Sequence, residues 1–147
     1  MSIFSSEFGD ELLTSDGLVS TDEALEGKEL IGLFFAAHWA PPCRQFTPVL
    51  REFYDTVRDS GMEIIFISSD RNEADLMSYY HESHGQWLIM PFSSPNKPLI
   101  KEKYGVKGIP MLTILRATDL KLITKDGIKK ISELEPSTAI KEFLSFK

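Results

Sequence analysis

The sequence contains a single cysteine, Cys43, among its 147 residues. One cysteine cannot form a disulfide within the chain, so an internal disulfide framework is excluded and a reducing compartment is favoured. Basic residues are also outnumbered, because 16 lysines and arginines stand against 22 aspartates and glutamates, which gives a formal net charge of −6. This balance argues against direct nucleic-acid binding by bulk electrostatics, which requires a basic face.

Long hydrophobic runs and targeting signals are absent as well. The longest apolar run, around residues 30–40, is far too short to span a bilayer. Residues 1–7 show no basic segment followed by an apolar stretch, so we expect no signal peptide. The chain has no internal repeat or low-complexity tract, and 42% of its residues are hydrophobic. We therefore predict one soluble, intracellular globular domain over residues 1–147 that does not associate with membranes.

The hydrophobic pattern predicts an α/β fold with a central mixed sheet that is flanked by helices on both faces. Two short runs around the Ser15-Asp16-Gly17 turn predict an N-terminal β-hairpin extension. Helical spacing of Phe46, Leu50, Phe53 and Val57 predicts a helix that ends at residues 60–61. The remaining expectations are strands over 30–37, 63–68, 87–90 and 111–115, helices over 72–84, 99–104 and from 136 onward, a loop over 91–98, and a second hairpin that joins 121–124 to 128–131.

The most informative segment is Trp39-Ala40-Pro41-Pro42-Cys43, which follows the first buried strand and opens a helix. Backbone N–H groups in a first helical turn lack partners, and the helix dipole places partial positive charge there. A thiol at such a point has a lowered pKa, and the thiolate is the reactive form. The two prolines suit this turn because their missing N–H groups would have had no intrahelical partner. We expect position 40 to project outward and to be exposed, with Cys43 almost one turn further and beneath it.

The segment has the form of a Cys-x-x-Cys redox site in which a methyl group replaces the first sulfur. In a complete dithiol the outer sulfur attacks a substrate disulfide, and the inner sulfur resolves the mixed disulfide that results. Far downstream, Ile109-Pro110 opens a strand, where a proline cannot donate to the sheet. A trans bond is the usual form there, whereas a cis bond that faced the helix start would leave the Ile109 backbone free to pair with a substrate chain.

Four ordered segments make the chain resemble the nucleoredoxin and tryparedoxin branch of the thioredoxin superfamily, including single-domain thioredoxin-related proteins of this size. The segments are residues 35–48, 67–71, 84–92 and 104–112, and the likeness runs from about Leu12 to Leu134. The resemblance implies a thioredoxin-like fold and protein-disulfide reductase activity in redox regulation. The chain departs from thioredoxins proper at Phe34, because those proteins carry a buried acid at this position. The residue that would accept the proton of the resolving cysteine is therefore unassigned.

The resemblance also implies roles for individual residues. Position 40, here Ala40, corresponds to the nucleophilic cysteine, and Cys43 corresponds to the resolving cysteine. Pro48 corresponds to a kink in the active-site helix. The residues that would contact the substrate are Trp39, Pro41, Pro42, Ile109 and Pro110.

Partners and location follow from the resemblance as further expectations. The partners would be disulfide-containing or redox-sensitive proteins, such as signalling proteins or transcription factors, together with a cellular thiol reductant. The location would be the cytoplasm, with the nucleus as a second compartment. No cofactor and no metal are expected, and homodimer formation stays open.

Two accounts of Ala40 compete. In the first, the natural protein has a cysteine at this position and the alanine is a deliberate substitution, in which case Ser15 could also replace a cysteine. In the second, the chain is a natural redox-dead module that kept the fold for binding. We favour the first account, because a site that drifted without function would have lost more than one of its residues. On either account we expect the chain with Ala40 to be inactive as a reductase.

Three other groups of polar residues have simpler interpretations than function. His81 and His84 have helical spacing, but without a second cysteine or a carboxylate at ligand spacing we interpret them as surface histidines. His38 could tune a thiolate or simply end a strand. Asp70 and Arg71 could form a charged rim near the site, although a solvated salt pair is the default interpretation.

Overall fold

A computed structural model describes residues 2–145 of the chain. Its strands form one mixed sheet in the order β2-β1-β5-β4-β3-β6-β7. Strands β3, β4 and β5 run parallel, whereas β1, β2, β6 and β7 pair antiparallel with their neighbours. The strands are β1 (Glu11–Thr14), β2 (Gly17–Ser20), β3 (Leu30–Ala36), β4 (Met62–Ser68), β5 (Leu88–Ile89), β6 (Met111–Arg116) and β7 (Leu122–Thr124).

Helices cover both faces of this sheet. Helix α3 packs against α4, α6 and α7 on one face, and α1 packs against α2 and α5 on the other. Each face has its own apolar core, because alternate residues of the central strands point to opposite sides. The helices are α1 (Ile3–Phe8), α2 (Thr21–Leu25), α3 (Pro41–Val57), α4 (Glu73–Ser83), α5 (Asn96–Lys103), α6 (Gly127–Glu133) and α7 (Pro136–Leu144), with a 3-10 turn at Arg58–Ser60.

Strand β3 lies near the centre of the sheet and leads directly into the candidate site. All seven of its residues are buried, as expected of a continuous apolar strand between two helical layers. It pairs in parallel with β4 and antiparallel with β6, so that Phe35 lies opposite both Ile67 and Met111. The end of β3, the end of β4 and the beginning of β6 therefore meet at one edge of the sheet.

The predicted α/β architecture and the N-terminal hairpin are confirmed, with Thr14 paired to Gly17 across the turn. The predicted second hairpin is wrong. Strand β7 pairs with β6 instead, and residues 127–133 form helix α6. Ile128 and Ile131 have the i, i+3 spacing of one helix face and pack against the α3 side of the core. Gly127 is required there, because a Cβ atom would lie 2.8 Å from the carbonyl oxygen of Leu112.

Three further differences concern helices. Helix α5 begins at Asn96, within the predicted loop, since Pro98 is compatible with a first helical turn. Helices α1 and α2 were not predicted, because six and five residues are too short for a periodic pattern. The Ser20-x-x-Glu23 spacing nevertheless signals α2, and Ser20 Oγ accepts a hydrogen bond from the Glu23 N–H at 3.3 Å. Met1, Phe146 and Lys147 of the predicted domain lie outside the described residues.

Candidate active site

Position 40 is the N-cap of helix α3. The carbonyl oxygen of Ala40 accepts from the N–H groups of Cys43 and Arg44, at 3.0 and 3.3 Å. Pro41 and Pro42 occupy the first two helical positions and have no N–H to leave unpaired. The alanine methyl makes no capping hydrogen bond, although this position usually carries a side chain that accepts one. The helix start therefore has its positive pole at position 40 and no side-chain acceptor beside it.

The predicted exposure of position 40 is wrong, because only 5% of the surface of Ala40 is accessible. It lies in the floor of a groove of about 550 Å³. Trp39, Pro41 and Pro42 contribute one part of the lining, residues 106–109 another, and Ser69 and Lys101 the rest. The sequence indicated that position 40 would begin a helix and that Ile109-Pro110 could face this helix start, but it did not indicate that position 40 would be buried.

The peptide bond between Ile109 and Pro110 is cis, the less common of the two alternatives. Ile109 lines the groove beside Ala40, and the pairing of β6 with β3 begins only at Met111. The structure thus brings together Trp39, Ala40, Pro41, Pro42 and Ile109 in one groove. Pro110 is half-buried next to this group and is not part of the groove lining.

Cys43 lies behind the groove and has no accessible surface. Burial raises the pKa of its thiol, and the charge of Asp70 adds to this effect, whereas a backbone hydrogen bond at Ala37 opposes it. Thr47 Oγ1 donates to the Cys43 carbonyl oxygen at 2.7 Å and also contacts the hydroxyl of Tyr79. The single cysteine of the chain is therefore a buried thiol in the core, where the protonated form is favoured.

Comparisons with known proteins agree with this geometry. A family model described as thioredoxin-like matches residues 27–121, about two thirds of the chain. The chain belongs to the thioredoxin-like family. Probable nucleoredoxin 1 of Arabidopsis thaliana is 41% identical over 118 residues, which cover 79% of this chain and 20% of that protein. Tryparedoxin of Trypanosoma brucei brucei is 40% identical over 108 residues, or 72% of each chain.

Solved structures give the same result for the fold. The crystal structure of thioredoxin from Wuchereria bancrofti has a TM-score of 0.81 and 43% sequence identity, and the match covers 93% of this chain and 95% of that one. This thioredoxin-like chain spans between a fifth and just over a quarter of the length of the nucleoredoxins that it matches. The resemblance stated from its motifs to the nucleoredoxin and tryparedoxin branch is confirmed.

Asp70 supports the site in this thioredoxin-like protein in a way that the sequence did not indicate. It is buried rather than part of a solvated pair with Arg71. Its carboxylate accepts from the His38 N–H at 2.7 Å and from Ser68 Oγ at 2.6 Å. These contacts tie the end of β4 to the residue two positions before Ala40. The neighbouring Trp39 ring is 53% exposed, and its Nε1 donates to the Ser69 carbonyl oxygen at 3.3 Å.

His38 lies at the rim of the site, where its Nε2 and Glu82 Oε2 are 2.7 Å apart. Its ring also packs near Tyr79. The backbone N–H of His38 thus contacts Asp70, whereas its imidazole contacts Glu82 and Tyr79. In residues 2–145 no group of three or more histidine, cysteine, aspartate or glutamate side chains is placed to hold a metal ion. No helix within the same range has the length and apolarity that crossing a bilayer requires.

His84 is the largest error among the predicted polar residues, because it is buried and not on the surface. Its Nδ1 accepts from Trp87 Nε1 at 3.2 Å, and aromatic rings surround it. Burial lowers the pKa of the imidazole to about 3, with a smaller contribution from His38. A signal was present: residues 76, 80 and 84 fall on one helical stripe, and Leu76 and Tyr80 are also buried.

The burial of His84 predicts that acid destabilises the fold. The unfolded imidazole has a pKa near about 6.5, so between pH 6.5 and 3 the unfolded chain binds a proton that the folded chain does not. We expect the free energy of unfolding to fall by about 1.4 kcal/mol per pH unit in that interval, or about 2 kcal/mol between pH 7 and pH 5. Urea unfolding at both pH values measures this loss.

The control for this prediction is within the same helix region. His84→Gln keeps an acceptor for Trp87 Nε1 and should remove the loss between pH 7 and pH 5. His81→Gln, at an exposed position, should retain the loss. An unchanged pH dependence in His84→Gln would show that the acid sensitivity has another origin.

Proposed function

We propose that this protein is built to reduce disulfides of protein partners through cysteines at positions 40 and 43, and that Ala40 leaves this chain without the reaction. The observation that carries the proposal is the location of position 40, which is both the N-cap of α3 and part of the groove floor. Membership of the thioredoxin-like family supports thiol–disulfide chemistry in general. The residue assignments are our own extension of it.

The chemistry follows from the local backbone. A sulfur at position 40 would extend from the groove floor at the positive end of a 17-residue helix. Partial positive charge there favours the thiolate over the thiol, which lowers the pKa of the group. An N-cap side chain also accepts hydrogen bonds from the second or third helical N–H. Since Pro42 has none, the N–H of Cys43 is the one within reach.

The reaction requires two sulfurs. The thiolate at position 40 attacks one sulfur of the partner disulfide, a new S–S bond forms, and the partner's other sulfur leaves as a thiolate. Cys43 then passes its proton to the partner's thiolate and attacks the sulfur at position 40. This closes a disulfide within the protein and releases the partner's second sulfur as a thiolate, so that the partner leaves fully reduced. A cellular thiol reductant restores the dithiol by the same exchange. Two electrons pass from the protein to the partner in each cycle.

Cys43 cannot perform the first step alone. Its side chain has no accessible surface, and its raised pKa keeps it protonated at neutral pH. Without a second cysteine the chain also cannot release a partner by closing an internal disulfide. We therefore propose that this chain is catalytically dead as it stands.

Restoring the sulfur tests the proposal. We expect the chain with Ala40 to reduce insulin disulfides at the uncatalysed background rate in the presence of dithiothreitol, and Ala40→Cys to raise that rate at least about tenfold. Ser15→Cys is the matched control, because it adds an exposed thiol away from the helix start and should stay at background. Equal rates for Ala40→Cys and Ser15→Cys would refute the role of position 40.

A second candidate function is a natural redox-dead binding module. The observation that favours it is the groove itself, which retains its aromatic, proline and Ile109 lining around the methyl of Ala40. The codon at position 40 of the source gene separates the two candidates. A cysteine codon supports the reductase, and an alanine codon supports the binding module.

We also propose protein partners of the signalling or transcription-factor class and a location in the cytoplasm or nucleus. These proposals rest only on the similarity to nucleoredoxins. Fractionation of cells that produce the natural protein would test the location.

A further inference from the structure

The groove around position 40 carries charge of one sign. Lys101 and Lys107 are the charged residues in its lining, and no aspartate or glutamate belongs to it. Within residues 2–145, neither lysine is in an ion pair with a carboxylate. Two cations in one groove that are in no ion pair can each pair with an anionic group of a ligand.

Lys101 is held in place and not simply solvated. Its Nζ donates to Ser69 Oγ at 2.7 Å and to the Ser68 carbonyl oxygen at 3.4 Å. An ammonium group has three donors, so one remains for a ligand. Lys97, one helical turn earlier, stacks on Phe92 with its Nζ 4.4 Å from the ring centroid and adds a third positive charge nearby. The charge of Asp70 acts on Lys101 and Lys97, but within residues 2–145 Asp70 forms no ion pair with either lysine, and its carboxylate oxygens accept from the His38 N–H and from Ser68 Oγ.

This local charge is opposite to that of the whole chain, whose formal net charge is −6. Charges further apart than the Debye length, about 8 Å at physiological ionic strength, are largely screened. An acidic ligand is therefore not attracted from a distance, and only contact with the groove favours it. Such a distribution gives selection at the site rather than faster encounter.

We propose that the groove binds an extended protein segment that carries acidic side chains next to its disulfide cysteine. Lys101 and Lys107 pair with those carboxylates, Trp39 and Ile109 contact the apolar parts, and the backbone of residues 106–109 pairs with the segment as an added strand. This inference rests on the proposed function for the identity of the disulfide, but not for the binding, which the chain with Ala40 can perform.

Binding of three matched peptides to this chain tests the inference. Each is a linear segment with serine in place of cysteine, flanked by aspartates, asparagines or lysines, so no thiol chemistry takes part. The readout is the indole ¹H–¹⁵N signal of Trp39, and that of the buried Trp87 serves as an internal reference. We expect the acidic peptide to shift the Trp39 signal with an affinity at least about fivefold higher than that of the basic peptide.

The variants locate the effect. Lys101→Gln/Lys107→Gln should reduce the preference to less than about twofold, whereas Lys129→Gln, an exposed lysine of α6, should keep it. Equal affinity for the three peptides, or shifts at Trp87 without Trp39, would overturn the inference. S-Methylglutathione that bound as tightly as the acidic peptide would also overturn it, because the ligand would then be a small anionic thiol. The insulin assay of Ala40→Cys decides the proposed function separately.

Discussion

The double variant Ala40→Cys/Cys43→Ala is expected to accumulate a covalent complex with a disulfide partner that Ala40→Cys alone releases. The first sulfur can then attack, but the second is missing. Attack by a neighbouring group proceeds with effective molarities of roughly 10⁵ M or more when the geometry is suitable. External thiol at millimolar concentration cannot match this, so the mixed disulfide should persist at least about a thousandfold longer. Alanine is preferred to serine because it removes the sulfur without adding a new polar group at the fully buried position of Cys43.

Quenching with acid followed by mass spectrometry under non-reducing conditions measures the complex. Cys43→Ala alone, which contains no cysteine, should form no complex. Ala40→Cys alone should show the oxidised intramolecular form instead. Equal decay of the complex in the single variant Ala40→Cys and in the double variant would mean that Cys43 does not act as the resolving group.

The sequence predicted where the first motif lies in the fold, but it did not predict which parts of the sheet surround it. The two motifs, at residues 39–43 and 109–110, lie together because β3 and β6 are neighbours and Phe35 pairs with Met111. Apolar strands and the proline-marked helix start are local signals, and local signals suffice to place such a motif at the end of a strand. The pairing that brings the second motif to it is a property of the sheet, which the resemblance implied and the residues alone did not.

Two of the failures, at Ala40 and Asp70, share one physical cause, which is burial by parts of the chain that are distant in sequence. Ala40 looked exposed because its sequence neighbours gave no sign of burial, whereas in the structure it belongs to the α3-side core and shares a groove with residues 106–109. Asp70 was interpreted as solvated, but it is buried and accepts a hydrogen bond from the N–H of His38, 32 residues away. His84 was the exception, since its helical stripe was visible in the sequence. Polarity alone was a poor guide to Asp70 and His84.

The second large effect is expected from Trp87, which fixes the active-site helix to the sheet. Its ring is fully buried and makes edge contacts with Phe34 of β3 and Tyr54 of α3, with centroids 6.0 and 5.5 Å apart. The fit is tight, because a Cβ atom on Gly85 would lie 3.0 Å from the ring. Trp87→Ala should remove these contacts and the hydrogen bond to His84. We expect it to lower the free energy of unfolding by about 3–5 kcal/mol.

Trp39→Ala is the matched control, because it removes the chain's other tryptophan from a position that is 53% exposed. A half-exposed side chain loses less apolar burial when it is truncated, so this variant should cost about 1–2 kcal/mol, clearly less than Trp87→Ala. Urea unfolding followed by far-UV circular dichroism compares the two without using tryptophan emission. Similar losses for both variants would mean that Trp87 does not anchor α3. A large loss for Trp87→Ala alone would show that the packing of α3 against the sheet contributes strongly to stability through this one side chain.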